Sequence, residues 1–266
     1  MSPRYVLVET KDFITTLTLN RPEKRNAFTN EMFLEARDAF AAAEADAATR
    51  VLIVTGAGQA FSAGGDLEAF RQAAAETKRT GALVSPLDQA VLEGWALAMR
   101  RMTKPTIAAV NGAAMGLGCT LPLACDMRIA SERARLGLVF LEVGLNPEFG
   151  SSYYLPRLVG IAKACELVLA AKTVDAQEAL AIGLVNEVVP HEELLPRARA
   201  LAERIASLPP LAVRWARTNL YAGMDGDLVN QLQREIMANR NCRLSKDYDE
   251  ALAARQERRS PVFRGH

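Results

Sequence analysis

Only two histidines occur in 266 residues, and neither stands where a catalytic imidazole is usually found. His191 lies in Val-Val-Pro-His-Glu-Glu, a turn opening a helix, and His266 is the last residue. With no GxSxG elbow either, the chain argues against a Ser-His-Asp mechanism, and acid–base work falls to carboxylates, Lys, Tyr or Cys. The four cysteines, Cys119, Cys125, Cys165 and Cys242, form no CxxC pair and have no histidine cluster nearby, which argues against structural zinc and against a disulfide framework. They read as reduced thiols, and no metal is expected. Charge of one sign is also missing: 32 basic residues against 31 acidic ones give +1, with no face-sized basic run, so nucleic acid and anionic membrane are poor partners. No apolar run approaches the roughly 18 residues of a membrane span, and the start Met1-Ser-Pro-Arg-Tyr carries no signal-peptide core. A cytoplasmic protein is expected.

What is present is the composition of an ordinary globule, 50% hydrophobic and 24% charged, with enough apolar residues for a sizeable core. Tyr5 to Glu9 and Phe13 to Leu19 alternate apolar and polar residues around Thr10-Lys-Asp12, which predicts a β-hairpin. After the polar loop 20–26, a helix is expected over 28–44, a buried strand over 51–55, helices over 67–75 and 87–101, and a second buried strand over 106–110. Short strands follow at 126–130 and 135–138, helices at 152–157, 162–169 and 176–182, and a strand at 184–189. From Glu192 the chain reads as helix to about Gln256, broken at Pro209-Pro210 and Gly223. The alternation predicts an α/β architecture, with residues 1–200 as the core and 201–266 as a helical region that folds back or packs on a neighbouring subunit. The polar, alanine-rich stretch 72–85 reads as a surface segment in the position of a lid.

Two strand-to-helix junctions are glycine-rich: Phe61-Ser-Ala-Gly-Gly-Asp-Leu67 and Asn111-Gly-Ala-Ala-Met-Gly-Leu-Gly118. Glycine there lets a ligand approach the main chain, and Asp66 is placed to cap the helix that follows. Taken alone, the first stretch is either a backbone donor for a developing oxyanion or a plain glycine turn with an Asp cap. The second opens a helix, whose unpaired N–H groups and positive dipole end suit negative charge. Neither is a nucleotide signature: Gly112-x3-Gly116-x-Gly118 is not GxGxxG, and no Walker A lysine follows. If the junctions face one another they make a two-donor oxyanion hole, and loss of one such donor costs about 3 to 4 kcal/mol of transition-state stabilisation.

Five landmarks in order, Asn20-Arg-Pro-Glu-Lys-Arg-Asn-Ala-Phe28, Phe61 to Leu67, Ala109 to Gly118, Cys125-Asp-Met-Arg-Ile-Ala130 and Ala179 to Val189, resemble those of the enoyl-CoA hydratase/isomerase (crotonase) superfamily, and the match spans the whole chain. The resemblance implies a core of stacked ββα units, a C-terminal helical region that trimerises, often doubled to hexamers, and an acyl-CoA thioester as substrate, with coenzyme A part of the substrate and no separate cofactor. It puts the oxyanion donors at the main-chain N–H groups of Gly65 and Leu117, with Ala63, Asp66 and Gly116 around them as substrate-binding residues. Lys24 and Arg25 become candidates for the coenzyme A phosphates, and Phe263 and Arg264 for a tail reaching a neighbour's coenzyme A.

The chain departs from the family's hydratases at two places. Where those carry one glutamate after the second glycine motif and another near the end of the next strand, this sequence has Thr120 and Phe140. Instead, Asn146-Pro-Glu-Phe-Gly-Ser-Ser-Tyr153 resembles a stretch of the peroxisomal-type Δ3,Δ2-enoyl-CoA isomerases, whose single glutamate is the base, and Glu148 falls on it. That implies isomerisation of a 3-enoyl-CoA to a 2-enoyl-CoA, with Phe140 helping to desolvate the base and Thr120 reaching substrate by its hydroxyl. Hydration, ring isomerisation and a catalytically silent acyl-CoA-binding homologue are the alternatives. Glu142, six residues upstream of Glu148, is the rival carboxylate.

Overall fold

A computed structural model describes residues 5–266. Its first sheet begins with the expected hairpin, β1 (Val6–Lys11) and β2 (Ile14–Leu19), closed by Asp12 and Phe13 at φ +52° and +64°, the left-handed pair of a tight hairpin turn. Thr29 then caps α1 (Asn30–Ala45), accepting from the Met32 N–H. The continuous apolar runs form β3 (Val51–Gly56) and β5 (Thr106–Val110), each buried throughout. With β7 (Met127–Ser131) and β10 (Glu187–Val189) they complete a six-stranded sheet in the order β1-β2-β3-β5-β7-β10, parallel except for the β1–β2 pair.

Strands buried on both faces need a cover on each side. Leu52, Val54, Ala108 and Val110 face the main core with Phe33, Phe40 and Trp95. Val51, Ile53, Ile107 and Ala109 face the opposite way, against α8 (Leu194–Ala206). That helix presents Leu194, Ala198, Ala202 and Ala206 at four-residue spacing, and the three small alanines let it lie close to the sheet. It runs across residue 200.

Three short strands were not legible as such: β4 (Ala60–Ser62), β6 (Ala113–Met115) and β9 (Thr173–Asp175). With β8 (Arg135–Gly137) they form a second sheet in the order β4-β6-β8-β9. Each long strand β3, β5 and β7 therefore continues into a neighbour in the second layer. Asn111 fastens the first of these bends, donating to the Gly58 and Ala60 carbonyls at 3.0 and 3.2 Å. A methyl group on Gly112 would stand 2.0 Å from the Gln59 carbonyl oxygen, so glycine is what lets the two bends touch.

The stretch 72–85 is corrected. Its first nine residues are helix, because α2 (Leu67–Thr80) continues to a left-handed cap at Gly81 and a Glu76–Arg79 ion pair spans its last turns. Only 81–88 is irregular, and α3 (Gln89–Arg101) then starts at the Asp88 cap. Strand 184–189 shortens to β10, since Leu184 is held instead by the Ala179 carbonyl at the end of α7 (Ala176–Ala181). After α4 (Leu117–Ala124), α5 (Ser151–Val159) and α6 (Ile161–Leu169), the C-terminal quarter forms α9 (Pro210–Gly223), α10 (Leu228–Arg243) and α11 (Lys246–Glu257). A further break falls at Leu244-Ser245, inside the expected continuous helix, where Ser245 caps α11.

Candidate active site

Parallel pairing of β4 with β6 sets Ala60 beside Ala113 and Ser62 beside Ala114, and both chains then turn through glycine. Gly64 has φ +90°, and a methyl group on it would lie 2.6 Å from the Met115 carbonyl oxygen and 3.5 Å from the Leu117 nitrogen. Gly116 has φ +53° and caps α4 at its N-terminus. The two junctions are thus in van der Waals contact, and each conformation demands glycine. Among the described residues, the Gly65 N–H donates to no acceptor, since its bridge to Phe28 runs from the Phe28 N–H to the Gly64 carbonyl and from the Asp66 N–H to the Phe28 carbonyl. The Leu117 N–H, in the first turn of α4, is equally unpaired. Two free main-chain donors on adjoining loops can hold one oxygen that gathers negative charge.

A polar post holds this geometry in place. Asn26 is fully buried and donates to the Ala57, Ala60 and Phe61 carbonyls, while its own carbonyl accepts from the Ser62 hydroxyl at 2.7 Å. Ala63, half-buried, donates to the Arg25 carbonyl at 2.9 Å. Asp66 caps α2 by accepting from the Glu68 and Ala69 N–H groups and pairs with Arg21 at 2.6 Å. Burial raises its pKa, but the Arg21 and N–H hydrogen bonds outweigh that and hold the carboxyl below its ordinary value. Asp66 is therefore an anchor for the first junction.

Aromatic rings flank both glycine turns. Phe140, buried, lies 3.9 Å from where a methyl group on Gly116 would be. The Phe70 ring edge is 2.2 Å from the corresponding point on Gly65, a neighbour that sequence reasoning did not single out. Phe140 also starts the path to Glu148: it belongs to the 3₁₀ turn Val139–Val143, and its carbonyl accepts from the Leu145 N–H at 3.0 Å. Glu148 then precedes α5, which packs on α4. Its segment is pinned by Phe149, buried, at φ +57°, and stacked edge-on against Trp95 with centroids 5.1 Å apart. The Glu148 carboxylate has no hydrogen-bond or ion-pair partner among the described residues, and burial pushes its pKa up to about 7. A carboxyl so placed exchanges a proton readily at neutral pH. Glu142 stands exposed on the preceding 3₁₀ turn.

The other sequence candidates are placed in different ways. Thr120 is fully buried and its hydroxyl donates to the Leu117 carbonyl at 3.3 Å, so it braces the first turn of α4 and presents nothing to a ligand. Lys24 is exposed and lines a groove of ≈ 560 Å³ together with Arg21, Asp66 and Glu68, whereas Arg25 does not line it. Phe263 and Arg264 lie elsewhere on the same chain. Arg50, just before β3, donates to the Phe263 carbonyl at 2.8 Å, and Asp247 accepts from the Arg264 N–H at 2.7 Å. That is the opposite end of β3 from the glycine turns. Among the described residues no three His, Cys, Asp or Glu side chains gather as a metal site, and no helix is long and apolar enough to cross a membrane.

A two-layer α/β core whose bends set two glycine turns side by side defines the class of fold, and comparison with known proteins gives the class its family. The chain belongs to the enoyl-CoA hydratase/isomerase family, whose pattern it matches over residues 9–266. It is 38% identical over 266 residues to a crotonyl-CoA hydratase of Syntrophomonas wolfei, covering 99% of each chain. It is 34% identical over 256 residues to a short-chain-enoyl-CoA hydratase of Clostridium acetobutylicum, covering 96% of this chain and 95% of the other. Among solved structures, an enoyl-CoA hydratase from Bacillus anthracis superposes with a TM-score of 0.91 at 35% identity, covering 98% of this chain and 100% of the other. The crotonase-like α/β fold expected from the sequence is the fold found. The names of these relatives point to hydration, and the closeness to isomerases implied by the Glu148 motif is not what they carry.

Proposed function

We propose that the protein processes an acyl-CoA thioester, and specifically that it moves the double bond of a 3-enoyl-CoA to the 2-position with Glu148 as the single proton carrier. The observation that carries this reading is the Glu148 carboxyl itself, without a partner among the described residues and pushed up to about 7 by burial. The thioester oxygen would accept from the Gly65 and Leu117 N–H groups. Glu148 takes a proton from C2, the electron pair moves onto the thioester oxygen to give a dienolate, and the conjugate acid returns the proton at C4 as the carbonyl reforms. Phe140, beside Gly116, limits water at the carbon skeleton. No cofactor beyond the coenzyme A of the substrate is required by these steps.

Hydration is the second reading, and the observation favouring it is that relatives at 34–38% identity are named hydratases. Against two-carboxylate hydration stand the residues at the positions the family resemblance gives to its glutamates, a buried Thr120 and the Phe140 ring. A ring-isomerising or catalytically silent acyl-CoA-binding homologue remains a further outcome of the same test.

The division of labour we propose gives acyl-CoA binding to residues 1–200, with Lys24 and Arg25 near the phosphates, and subunit assembly to 201–266. Support for assembly comes from α9 and α10, which expose Leu220, Leu228, Val229, Ile236 and Met237 by between 62% and 75%, a face suited to a homotrimer or hexamer. In such an assembly Phe263 and Arg264 would approach a neighbour's coenzyme A. We place the protein in the cytoplasm.

The test mixes the protein with 3-enoyl-, 2-enoyl- and saturated acyl-CoAs and follows double-bond migration, water addition and binding separately. Glu148→Gln is expected to lose isomerisation by at least a thousandfold while acyl-CoA binding persists. Retained turnover in that variant would end the assignment, and hydration as the sole wild-type reaction would transfer it to the second reading.

A further inference from the structure

Arg128 is a buried cation that the steps above leave unused. It is 3% exposed, on β7, and its side chain donates to the Leu184 carbonyl at 2.8 Å, the Cys125 carbonyl at 2.8 Å and the Pro122 carbonyl at 3.3 Å. Pro122 lies in the last turn of α4 and Cys125 is its C-cap. The guanidinium therefore sits on the carbonyl end of the helix whose opposite end carries the Leu117 N–H.

No carboxylate pairs with it among the described residues. Asp126, the acidic neighbour, is spent elsewhere: it accepts from Arg217 at 2.9 Å, from Tyr221 at 2.5 Å and from the Thr106 N–H at 2.7 Å. The nearby thiols of Cys119 and Cys125 are pushed up to about 12 by burial and stay neutral. Two buried arginines against one aspartate leave one positive charge uncompensated beneath α4. Leaving a charge so placed is costly, and all eight residues of the helix above it are buried, so little water screens its field.

The short length of α4 gives that charge a use. Eight residues span roughly 12 Å, so an anion at the N-terminus feels both the positive pole beside it and the opposing negative pole one helix-length away. A cation seated on the C-terminal carbonyls cancels the negative pole and leaves the positive one unopposed. We propose that Arg128 is a positioning residue for the reaction, acting through α4 to strengthen the Leu117 end of the oxyanion clamp. The inference rests on the clamp reading given above. At an effective dielectric near 20 and this separation, one unit charge is worth on the order of a tenfold change in the rate through an enolate.

The probe is 4-(dimethylamino)cinnamoyl-CoA, whose absorption band moves to longer wavelength as its thioester oxygen takes on negative charge. A red shift on binding to the wild-type protein reports the clamp, and its absence would sink the clamp reading and this inference together. Arg128→Met, checked for a cooperative melt and an unchanged oligomeric state, is expected to bind the probe with a clearly smaller red shift. Its kcat should fall about tenfold with KM little changed. A folded R128M with the full shift and full kcat overturns the proposal and leaves the clamp standing. Arg128→Lys keeps the charge and loses the forked contacts, so it separates field from fastening even where R128M does not fold. Recovery of most of the shift despite a lower Tm supports the field. Loss of the shift in folded R128K shows that fastening was the whole role, and overturns it.

Discussion

The two halves of the candidate site are built by different means. The glycine turns are main-chain devices, over-determined by the β4–β6 pairing, by Asn26, and by contacts at Gly64 and Gly112 that admit no side chain. The carboxylate loop hangs on a side chain: Glu148 is placed by the Phe149–Trp95 contact and the 3₁₀ turn before it. In the proposed function, binding chemistry is entrusted to backbone, which tolerates changes of side chain. What distinguishes one reaction from another is left to a residue that one substitution can alter.

The sharpest way to break that contrast is to damage the clamp through the main chain. Leu117→Pro removes one N–H at the first position of α4, where proline is tolerated, and the Gly116 backbone (φ +53°, ψ −123°) is the mirror image of the extended conformation that precedes proline. Turnover should fall by about a hundredfold to a thousandfold with the fold intact by circular dichroism. An unaffected kcat would show that the Leu117 N–H holds nothing.

A smaller effect probes the carboxylate without any substrate. Burial raises the Glu148 pKa from 4.5 to about 7, so the folded state holds that proton more tightly than the unfolded chain. The wild-type protein therefore loses stability as pH rises from about 4.5 through 7, and the loss is complete above 7. Glutamine carries no such penalty. Thermal melts should find Glu148→Gln more stable than wild type at pH 8, by about 1–3 kcal/mol, with the gap closing at pH 4.5. A constant gap across that window would mean that the carboxyl is not desolvated.

The mildest variant is Thr120→Val, which deletes the hydroxyl donated to the Leu117 carbonyl. A cost of about 1 kcal/mol in stability, with turnover within about twofold of wild type, is expected from steady-state assays. A large loss of turnover alone would return Thr120 to the substrate.

How much of this could be read beforehand follows from the kind of signal each part leaves. Val51–Gly56 and Thr106–Val110 announce themselves because a strand buried on both faces needs an unbroken apolar run. Ala60–Ser62 and Ala113–Met115 are too short for any periodicity and become strands only by pairing with each other. Yet that pairing is what brings the legible glycine motifs together. The helix over 67–80 extends past the expected 67–75 because polar, alanine-rich sequence suits an exposed helix as well as a loop, and the caps at Asp66 and Gly81 decide between them. Glu148 was found by resemblance of its motif. Its isolation from any partner among the described residues is a three-dimensional property that residue type does not encode. Arg21, which holds Asp66 across 45 positions in the chain, and Phe70, whose ring covers Gly65, left no local trace for the same reason.

Trp95 is one of only two tryptophans in the chain, and its ring is wedged among Phe33, Phe40 and Phe149 at the foot of the Glu148 loop. Among the described residues its indole N–H has no acceptor, so its excited state answers chiefly to how those three rings sit around it. With Trp215→Phe the protein keeps a single tryptophan beside its five tyrosines, and under excitation selective for indole any rearrangement of the loop on ligand arrival is written into the colour and lifetime of its own fluorescence. The ring against which Phe149 holds the Glu148 segment thereby doubles as an optical gauge of it, fitted where an attached dye would have to displace the core.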